Sequence, residues 1–258
     1  MDDGILRDGI KPGDVVVVTG AGGGFGRAFC KRFAGARARV AAWEINRQAG
    51  AETVSQVTAA GGEARLFEVD LSDAGQIAAA VDQTLAAFGT PYLIINNASI
   101  YPRASVIDMK VEDWERTLRV NITAPFLIAR AFGPHMLKQR RGVVINIASG
   151  RAVEGAPRGA NYACSKAALL SLTKTLALEW ASHGIRVNAI IPGVSMTAQP
   201  LENTTPDELA ERGRKEIPLG RVGYPDDMAG LAAFLASSDA AYMTGQAVAM
   251  NGGRVLVP

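Results

Sequence analysis

A tyrosine and a lysine stand four positions apart, at Tyr162 and Lys166, in a stretch whose apolar spacing predicts a helix. Residues with this spacing project from one helix face, one turn apart. A free tyrosine titrates near pH ~10, and a neighbouring ammonium stabilises the phenolate and lowers that pKa. The pair could therefore act as a general base near neutral pH, although the spacing by itself is common by chance.

Ser149 strengthens this hypothesis. It follows the apolar run 143–147, which predicts a buried strand, and it precedes Tyr162 by 13 residues. In open parallel sheets, such strand ends face the binding crevice. A hydroxyl group there can donate a hydrogen bond to an oxygen on which charge develops during reaction.

A glycine-rich turn, Thr19–Gly26, follows the first apolar run and precedes an amphipathic stretch. Its key glycines are Gly20, Gly24 and Gly26, a spacing that differs from the common G-x-G-x-x-G form. Glycines permit a tight turn and let backbone N–H groups at a helix start approach a pyrophosphate. A plain turn is the alternative, but the strand before it and the helix after it favour a dinucleotide site.

Glu44 ends the second predicted strand, 24 residues after Gly20. A carboxylate there can accept hydrogen bonds from ribose hydroxyls and would repel a 2′-phosphate, so it favours NAD over NADP. A solvated charge at the strand end is the alternative. Asp70 closes the third predicted strand and could contact the adenine, cap the next helix, or do both.

Continuous apolar runs alternate with helix-like stretches along the whole chain, which predicts an α/β fold. We expect a doubly wound, Rossmann-like parallel sheet with helices on both faces, formed as a single domain over residues 1–258. Residues 1–14 form an N-terminal extension in this prediction, and the irregular segment 193–217 a substrate-binding loop. The predicted strands are 15–18, 38–43, 64–69, 92–96, 143–147, 185–191 and 246–250, and the predicted helices include 73–88, 110–137 and 162–182.

Composition excludes several classes of protein. The net charge is +2, and the basic cluster 138–141 fits a helix end, so we expect no nucleic-acid partner. No apolar run reaches about 18 residues and no secretory signal is present, so we expect no membrane partner and a cytoplasmic enzyme. Cys30 and Cys164 are far apart in sequence; we expect both to be buried and no metal site to form.

At this point the chain resembles the short-chain dehydrogenase/reductase family in its common form of about 250 residues. The resemblance runs from about Val15 to Gly253. The motifs that carry it are Thr19–Gly26, Asp70, Asn96-Asn97-Ala98, Asn121, Ser149, Tyr162 with Lys166, Pro192-Gly193 with Thr197, and Thr244-Gly245-Gln246 with Asn251-Gly252-Gly253.

The resemblance implies a role for each catalytic residue. Tyr162 would be the acid/base and Ser149 would hold the substrate oxygen. Lys166 would bind the nicotinamide ribose and lower the tyrosine pKa. Asn121 would position a water that links Lys166 to solvent, and Asn97 would support the cofactor site.

The resemblance also implies a set of NAD-binding residues, among which the Thr197 hydroxyl would bind the carboxamide of the nicotinamide. The full set is Gly20, Gly24, Phe25, Gly26, Glu44, Asp70, Leu71, Asn97, Ala98, Tyr162, Lys166, Pro192, Gly193, Val194 and Thr197.

Three positions depart from the family pattern. Ser99 replaces the usual glycine after Asn-Asn-Ala, so a side chain enters near the cofactor. Ala148 replaces the first of two serines before the active-site loop, where only the second, Ser149, is expected to be catalytic. Asn251 replaces the usual aspartate of the final Asp-Gly-Gly, which removes a charge near the sheet edge.

The substrate pocket is less well specified. Positions beside the catalytic set give Ser99, Tyr101, Arg103, Gly150, Arg151, Arg158, Asn161, Val194 and Met196 as candidate residues. Three arginines in this group point weakly to a polar or anionic substrate, and solvated loop arginines are the alternative.

The hypothesis is an NAD-dependent oxidoreductase that interconverts a secondary alcohol, such as a polyol or a sugar, with its ketone. One alternative is a 3-oxoacyl-thioester reductase, which would draw on NADPH. Others are an epimerase or dehydratase that recycles bound NAD⁺, and a non-catalytic nucleotide-binding regulator. An intact Ser149, Tyr162 and Lys166 set argues against the regulator.

The predicted helix 162–182 is apolar on more than one face, as expected if both its own core and a partner cover it. Related proteins are commonly tetramers, so we expect a homotetramer. Light scattering at micromolar concentration should give about four times the chain mass, and a monomer there would refute the prediction.

Overall fold

The computed structural model describes residues 9–197, 201 and 204–255. Strands and helices alternate along this part of the chain. In chain order they are β1 (Val15–Thr19), α1 (Gly24–Gly35), β2 (Arg39–Glu44), α2 (Arg47–Ala59), β3 (Glu63–Glu68), α3 (Ala74–Phe88), β4 (Pro91–Asn96), α4 (Val111–Leu118), α5 (Ala124–Gln139), β5 (Gly142–Ile147), α6 (Arg151–Glu154), α7 (Ala160–Trp180), β6 (Ile185–Pro192), α8 (Pro206–Glu216), α9 (Pro225–Ala236) and β7 (Ala247–Met250).

The seven described strands form one parallel sheet in the order β3-β2-β1-β4-β5-β6-β7. The strand order reverses between β1 and β4, which opens a crevice at the carboxyl ends of these strands. Helices cover both faces, so the predicted doubly wound architecture is confirmed.

Apolar residues of the central strands are buried on both faces of the sheet. Along β1, Val16 and Val18 belong to a core that contains Phe29 of α1, while Val17 belongs to a second core that contains Phe132 of α5. Successive side chains of a strand point to opposite faces. An unbroken run of valines therefore supplies both cores.

Two predicted elements differ from the structure. The predicted helix 110–137 is divided by a π-helical segment, Arg119–Thr123, between α4 and α5. The segment 193–217, predicted to be irregular, contains α8. That helix begins because the Thr205 hydroxyl accepts from the Glu208 amide at 3.2 Å and the Glu208 carboxylate accepts from the Thr205 amide at 2.8 Å.

The prediction that both cysteines are buried is half wrong. Cys30 is buried in α1, but Cys164 is exposed on α7. It lies beside two core-facing residues of that helix, Tyr162 and Ser165, and points away from the sheet.

The end of the predicted N-terminal extension packs on the body of the protein. Ile10 is buried, and the Arg141 guanidinium donates to the Gly9 carbonyl at 2.8 Å and to the Asp14 carboxylate at 2.7 Å. Residues 1–8 of that prediction lie outside the described residues. Among the described helices, none has the length and apolar character needed to cross a membrane.

Candidate active site

A cavity of about 620 Å³ lies at the carboxyl ends of six strands. Each strand contributes a residue at its end or just after it: Gly20 after β1, Glu44 on β2, Asp70 after β3, Asn97 after β4, Ser149 after β5 and Pro192 on β6. The sheet thus brings together sequence motifs that lie far apart. Within the described residues, no cluster of three or more His, Cys, Asp or Glu side chains could hold a metal ion.

The glycine turn brings a helix N-terminus to the cavity. Helix α1 begins at Gly24, its first turn carries no acidic residue, and its N-cap Gly23 has no side chain to occupy the free amides. Gly20, at φ +64°, must lack a Cβ, which would lie 2.9 Å from the Cα of Ala98. A Cβ on Gly26 would lie 2.0 Å from the Gly20 carbonyl oxygen, so Gly26 is needed for packing.

The free amides at this turn are the donors that a pyrophosphate needs. Gly23, Gly24 and Phe25 line the cavity there, and no atom lies within 4 Å of the position that a Cβ on Gly23 would take. The turn therefore fits the phosphates of a dinucleotide.

Glu44 is fixed at the opposite side of this turn. Its carboxylate accepts from the Gly22 amide at 2.8 Å and from the Asn46 amide at 3.0 Å, one bond to each oxygen. Each oxygen keeps a second lone pair. The carboxylate can therefore hold the turn in place and still accept hydrogen bonds from a ribose.

Asn97 and Thr19 join the ends of β1 and β4. The Asn97 amide group donates to the carbonyls of Thr19 at 2.9 Å and Gly20 at 3.1 Å. In return, the Thr19 hydroxyl accepts from the backbone amides of Asn97 and Ala98, at 2.9 and 3.0 Å. These four bonds fix the floor of the cavity, and the expected role of Asn97 in supporting a bound cofactor stays a prediction.

Ser149, Tyr162 and Lys166 converge in the cavity. The Ser149 hydroxyl lies close enough to the Tyr162 phenol to lower its pKa. The Lys166 ammonium donates to the Ile147 carbonyl at 2.7 Å, and its Nζ lies 5.6 Å from the centre of the Tyr162 ring. Both side chains are almost fully buried, with 7% of Tyr162 and 1% of Lys166 exposed.

Burial sets the protonation of this pair. It lowers the pKa of Lys166 from 10.5 to about 7. It raises the pKa of Tyr162, while the hydrogen bond from Ser149 lowers it by a smaller amount. Burial therefore opposes the lowered tyrosine pKa expected from the sequence, since desolvation outweighs the neighbouring charge.

Comparison with known proteins places this geometry in a family. A family model described as Enoyl-(Acyl carrier protein) reductase matches residues 20–254. A 3beta-hydroxysteroid dehydrogenase 1 from Eggerthella lenta is 38% identical, with 98% of this chain and 97% of the relative covered. A 3-oxoacyl-[acyl-carrier-protein] reductase from Thermotoga maritima is 35% identical, with 95% of this chain and 98% of the relative covered.

A crystal structure gives the same result. It is provisionally assigned as an NAD(P)-dependent gluconate 5-dehydrogenase from Beutenbergia cavernae and holds NADP at low occupancy. It is 36% identical, covers 97% of this chain and 98% of its own, and superposes with a TM-score of 0.89. The chain belongs to the short-chain dehydrogenase/reductase family.

As a short-chain dehydrogenase/reductase, the protein is an oxidoreductase that acts on alcohol and ketone groups. The cavity contains most of the predicted cofactor residues. Besides the residues described above, it is lined by Leu71, Ala98, Gly193, Val194 and Thr197. The Asp70 carboxylate also accepts from the Ser72 amide at 2.8 Å, which shapes the turn before α3.

Asn121 does not line the cavity. It lies in the π-helical segment, where its amide group donates to the Ile100 carbonyl at 3.0 Å and the Ser165 hydroxyl at 3.0 Å. Its oxygen accepts from the Ile100 amide at 2.9 Å. Asn121 thus holds the segment after β4 against α7, and its expected role in positioning a water stays a prediction.

Tyr101 lies in the segment that Asn121 holds. Its ring stacks on the ring of Tyr162, with 4.3 Å between the ring centres and 20° between the planes. Its hydroxyl occupies the space that a Cβ on Gly159 would need. The guanidinium of Arg103 lies over the outer face of Tyr101, 4.7 Å from the ring centre. Tyr101, Arg103 and the exposed Ser99 all line the cavity, as the sequence predicted.

Three predicted substrate residues lie elsewhere. Asn161 is buried, and its amide group donates to the Pro102 carbonyl at 3.2 Å and the Thr117 hydroxyl at 3.0 Å, so it supports the Tyr101 segment from behind. Arg158 is exposed on the turn before α7, and Met196 faces a separate surface depression beside α1 and α9. Proximity in sequence placed them in the pocket, but none of the three lines the cavity.

Several residues that no sequence motif marks also line the cavity. Those that come from helix α4, from α6 and from beyond residue 200 include Arg116, Glu154, Leu209, Arg212, Arg254 and Val255.

The first prediction from this geometry concerns the acid/base. Tyr162→Phe keeps the ring stack but removes the oxygen that exchanges the proton, and a positioned general base contributes about 10²–10⁴-fold. We expect kcat to fall at least about a hundredfold, with the Kd for the cofactor nearly unchanged. Single-turnover rates and cofactor titration measure the two, with Tyr242→Phe, a fully exposed tyrosine, as the control. Turnover near that of the wild type would show that Tyr162 is structural.

The second prediction follows from the buried lysine. Because its pKa falls from 10.5 to about 7 on folding, the unfolded chain binds a proton there that the folded chain lacks. The contribution of Lys166 to the free energy of unfolding should therefore rise as pH increases from about 7 towards 10.5.

Urea unfolding of the cofactor-free protein at about pH 7 and about pH 9 tests this. The stability difference between the wild type and Lys166→Met should shift in favour of the wild type at the higher pH. Lys174→Met, at an exposed position on the same helix, is the control. A difference independent of pH would contradict the prediction.

Proposed function

We propose that the protein is an NAD-dependent oxidoreductase that interconverts a secondary alcohol and its ketone by hydride transfer. The substrate is a small polyol, sugar or related hydroxylated molecule. The observation that carries the proposal is the convergence of Ser149, Tyr162 and Lys166 in one cavity, with Glu44 at its far side.

The residues of the cavity fit the cofactor along its length. The free amides of Gly23 and Gly24 would bind the pyrophosphate, and the Glu44 carboxylate would bind the adenosine ribose. Thr197 and Lys166 would bind the nicotinamide end. When bound, the cofactor supplies the acceptor or donor of the hydride.

Proton transfer belongs to the protein. During oxidation the Tyr162 phenolate takes the proton of the alcohol, and the Ser149 hydroxyl donates to the same substrate oxygen. A positive charge near the ring offsets the cost of the buried phenolate. Lys166, with a pKa of about 7, holds this charge only in part near neutral pH. We expect the positive charge of the bound oxidised cofactor to lower the pKa of Tyr162 further.

A reductase for 3-oxoacyl thioesters is the second candidate. The Thermotoga maritima relative, at 35% identity, favours it. Such an enzyme would draw on NADPH, which the Glu44 carboxylate disfavours. The Beutenbergia cavernae structure, which holds NADP, keeps the choice of cofactor open to experiment.

We also propose a cytoplasmic homotetramer. Phe126 on α5 and Leu178 on α7 support it, because they leave 48% and 85% of their surface exposed on helices that also pack on the core. Large apolar side chains in such positions are typical of an interface.

The prediction is that NAD(H) gives a higher kcat/KM than NADP(H), since the Glu44 carboxylate repels a 2′-phosphate. Glu44→Ala should narrow this gap. Because that change also removes two hydrogen bonds to backbone amides, Glu44→Gln is the closer variant: it removes the charge and keeps one of the two acceptor oxygens. Equal or better use of NADP(H) by the wild type would contradict the prediction.

The same assay tests the function. NADH absorbance is followed with polyols, sugars and other secondary alcohols, and NADPH consumption with acetoacetyl thioesters. Turnover of a hydroxylated small molecule supports the proposal. Turnover of the thioester alone would favour the second candidate.

A further inference from the structure

Arginines surround the substrate end of the cavity, and they come from separate parts of the chain. Arg103 follows β4, Arg151 begins α6, Arg212 lies on α8 and Arg254 follows β7. Arg116 also lines the cavity, from α4. Solvated surface arginines would not be expected to converge on one cavity in this way.

Arg151 is the one tied most directly to the reaction centre. Its backbone amide donates to the Ser149 hydroxyl oxygen at 3.2 Å, and its charge is close enough to lower the pKa of Tyr162. The neighbouring carboxylate is that of Glu154, one helical turn further along. Its oxygen lies 3.7 Å from the Arg151 guanidinium nitrogen, and both side chains are more than a third exposed. An exposed pair at this distance is weak and leaves the guanidinium able to bind another anion.

Arg103 is placed by stacking. It covers Tyr101, which in turn covers Tyr162, so its guanidinium lies two stacked layers from the catalytic ring. Stacking uses the face of the guanidinium and leaves the N–H groups at its edge free to donate. No described carboxylate forms an ion pair with Arg103.

Arg254 is placed by Asn251. The Asn251 oxygen accepts from the Gly253 amide at 3.0 Å, and its amide group donates to the Val255 carbonyl at 2.7 Å. This turn brings Val255 to 3.5 Å from the position of a Cβ on Gly150, the residue after Ser149. An aspartate at position 251, as in the family pattern, could not donate the second bond.

The charges at this end do not cancel. Arg212 pairs with Glu216 at 2.8 Å, and Glu216 also feels the charge of Arg254. Glu154 faces Arg151 only loosely. Arg103 remains without an ionic partner among the described residues, so the substrate end carries net positive charge.

We propose that the substrate carries an oxyanion, a carboxylate or phosphate group, which Arg103, Arg151 and Arg254 bind at a distance from the reacting carbon. Guanidinium groups donate paired hydrogen bonds that match both anions. The inference deepens the proposed function and rests on it. It also assigns Asn251 as a positioning residue, which holds Arg254 at the cavity.

Matched substrates test the proposal. The members of each set share one hydroxylated carbon skeleton and differ only in the terminal group, which is a primary alcohol, a carboxylate or a phosphate ester. We expect kcat/KM for one of the anionic members to exceed that of the neutral member by at least about tenfold, and the carboxylate and phosphate arms identify the anion. The preference should weaken as salt is added, because the guanidiniums are partly exposed.

Charge removal identifies the residues. In Arg103→Gln, Arg151→Gln and Arg254→Gln, the ratio of anionic to neutral kcat/KM should fall about tenfold or more, mainly through KM. Asn251→Asp should lower the same ratio, and Asn251→Gln, which keeps a donor, should lower it less. Arg158→Gln removes an exposed arginine outside the cavity and should leave the ratio unchanged.

A separate binding measurement keeps the two proposals distinguishable. The enzyme with NADH is titrated with the same carboxylates and phosphate esters, and the cofactor fluorescence is followed. Turnover without preference for an anion would overturn this inference and leave the proposed function standing. Absence of turnover would overturn the function. The inference would then stand if the anions bind to the wild type and not to Arg151→Gln. It would fall if the anions do not bind to the wild type or bind equally well to both proteins.

Discussion

The site depends on one buried contact, the hydrogen bond from the Lys166 ammonium to the Ile147 carbonyl at the end of β5. An ammonium removed from water needs a partner inside the protein. The contact fixes α7 against the central sheet, and α7 carries Tyr162 as well. Ser149 lies two residues after the end of β5. The distance between the Ser149 hydroxyl and the Tyr162 phenol is therefore set by the packing of α7 on β5.

Asparagine side chains provide a second layer of support. Asn97, Asn121, Asn161 and Asn251 each bond to backbone groups of loops at the cavity. An amide both donates and accepts, so one side chain can fix two points of a loop whose backbone has no strand partner. Asn97 and Asn121, for which the family resemblance implies functional roles, thus also hold backbone groups in place.

The two ends of the cavity differ in charge. At the proposed adenosine end Glu44 is held by backbone amides, and at the proposed substrate end the guanidiniums of Arg103 and Arg151 are only loosely compensated. A partly enclosed cavity strengthens both fields relative to open solvent. The same cavity can therefore reject an anion at one end and attract one at the other.

The sequence determined the alternation of strands and helices and the glycine turn, and it marked Glu44, Ser149, Tyr162 and Lys166, which share one cavity, because each feature depends on local spacing or on a strand end. It also predicted the fold, since buried parallel strands read as continuous apolar runs. Tertiary structure decided the rest. Asn161 and Arg158 lie beside the start of α7 in sequence but do not line the cavity, whereas Arg254 lines it from the far end of the chain. Which side chains share a cavity follows from the packing of distant segments, and no local pattern encodes that packing.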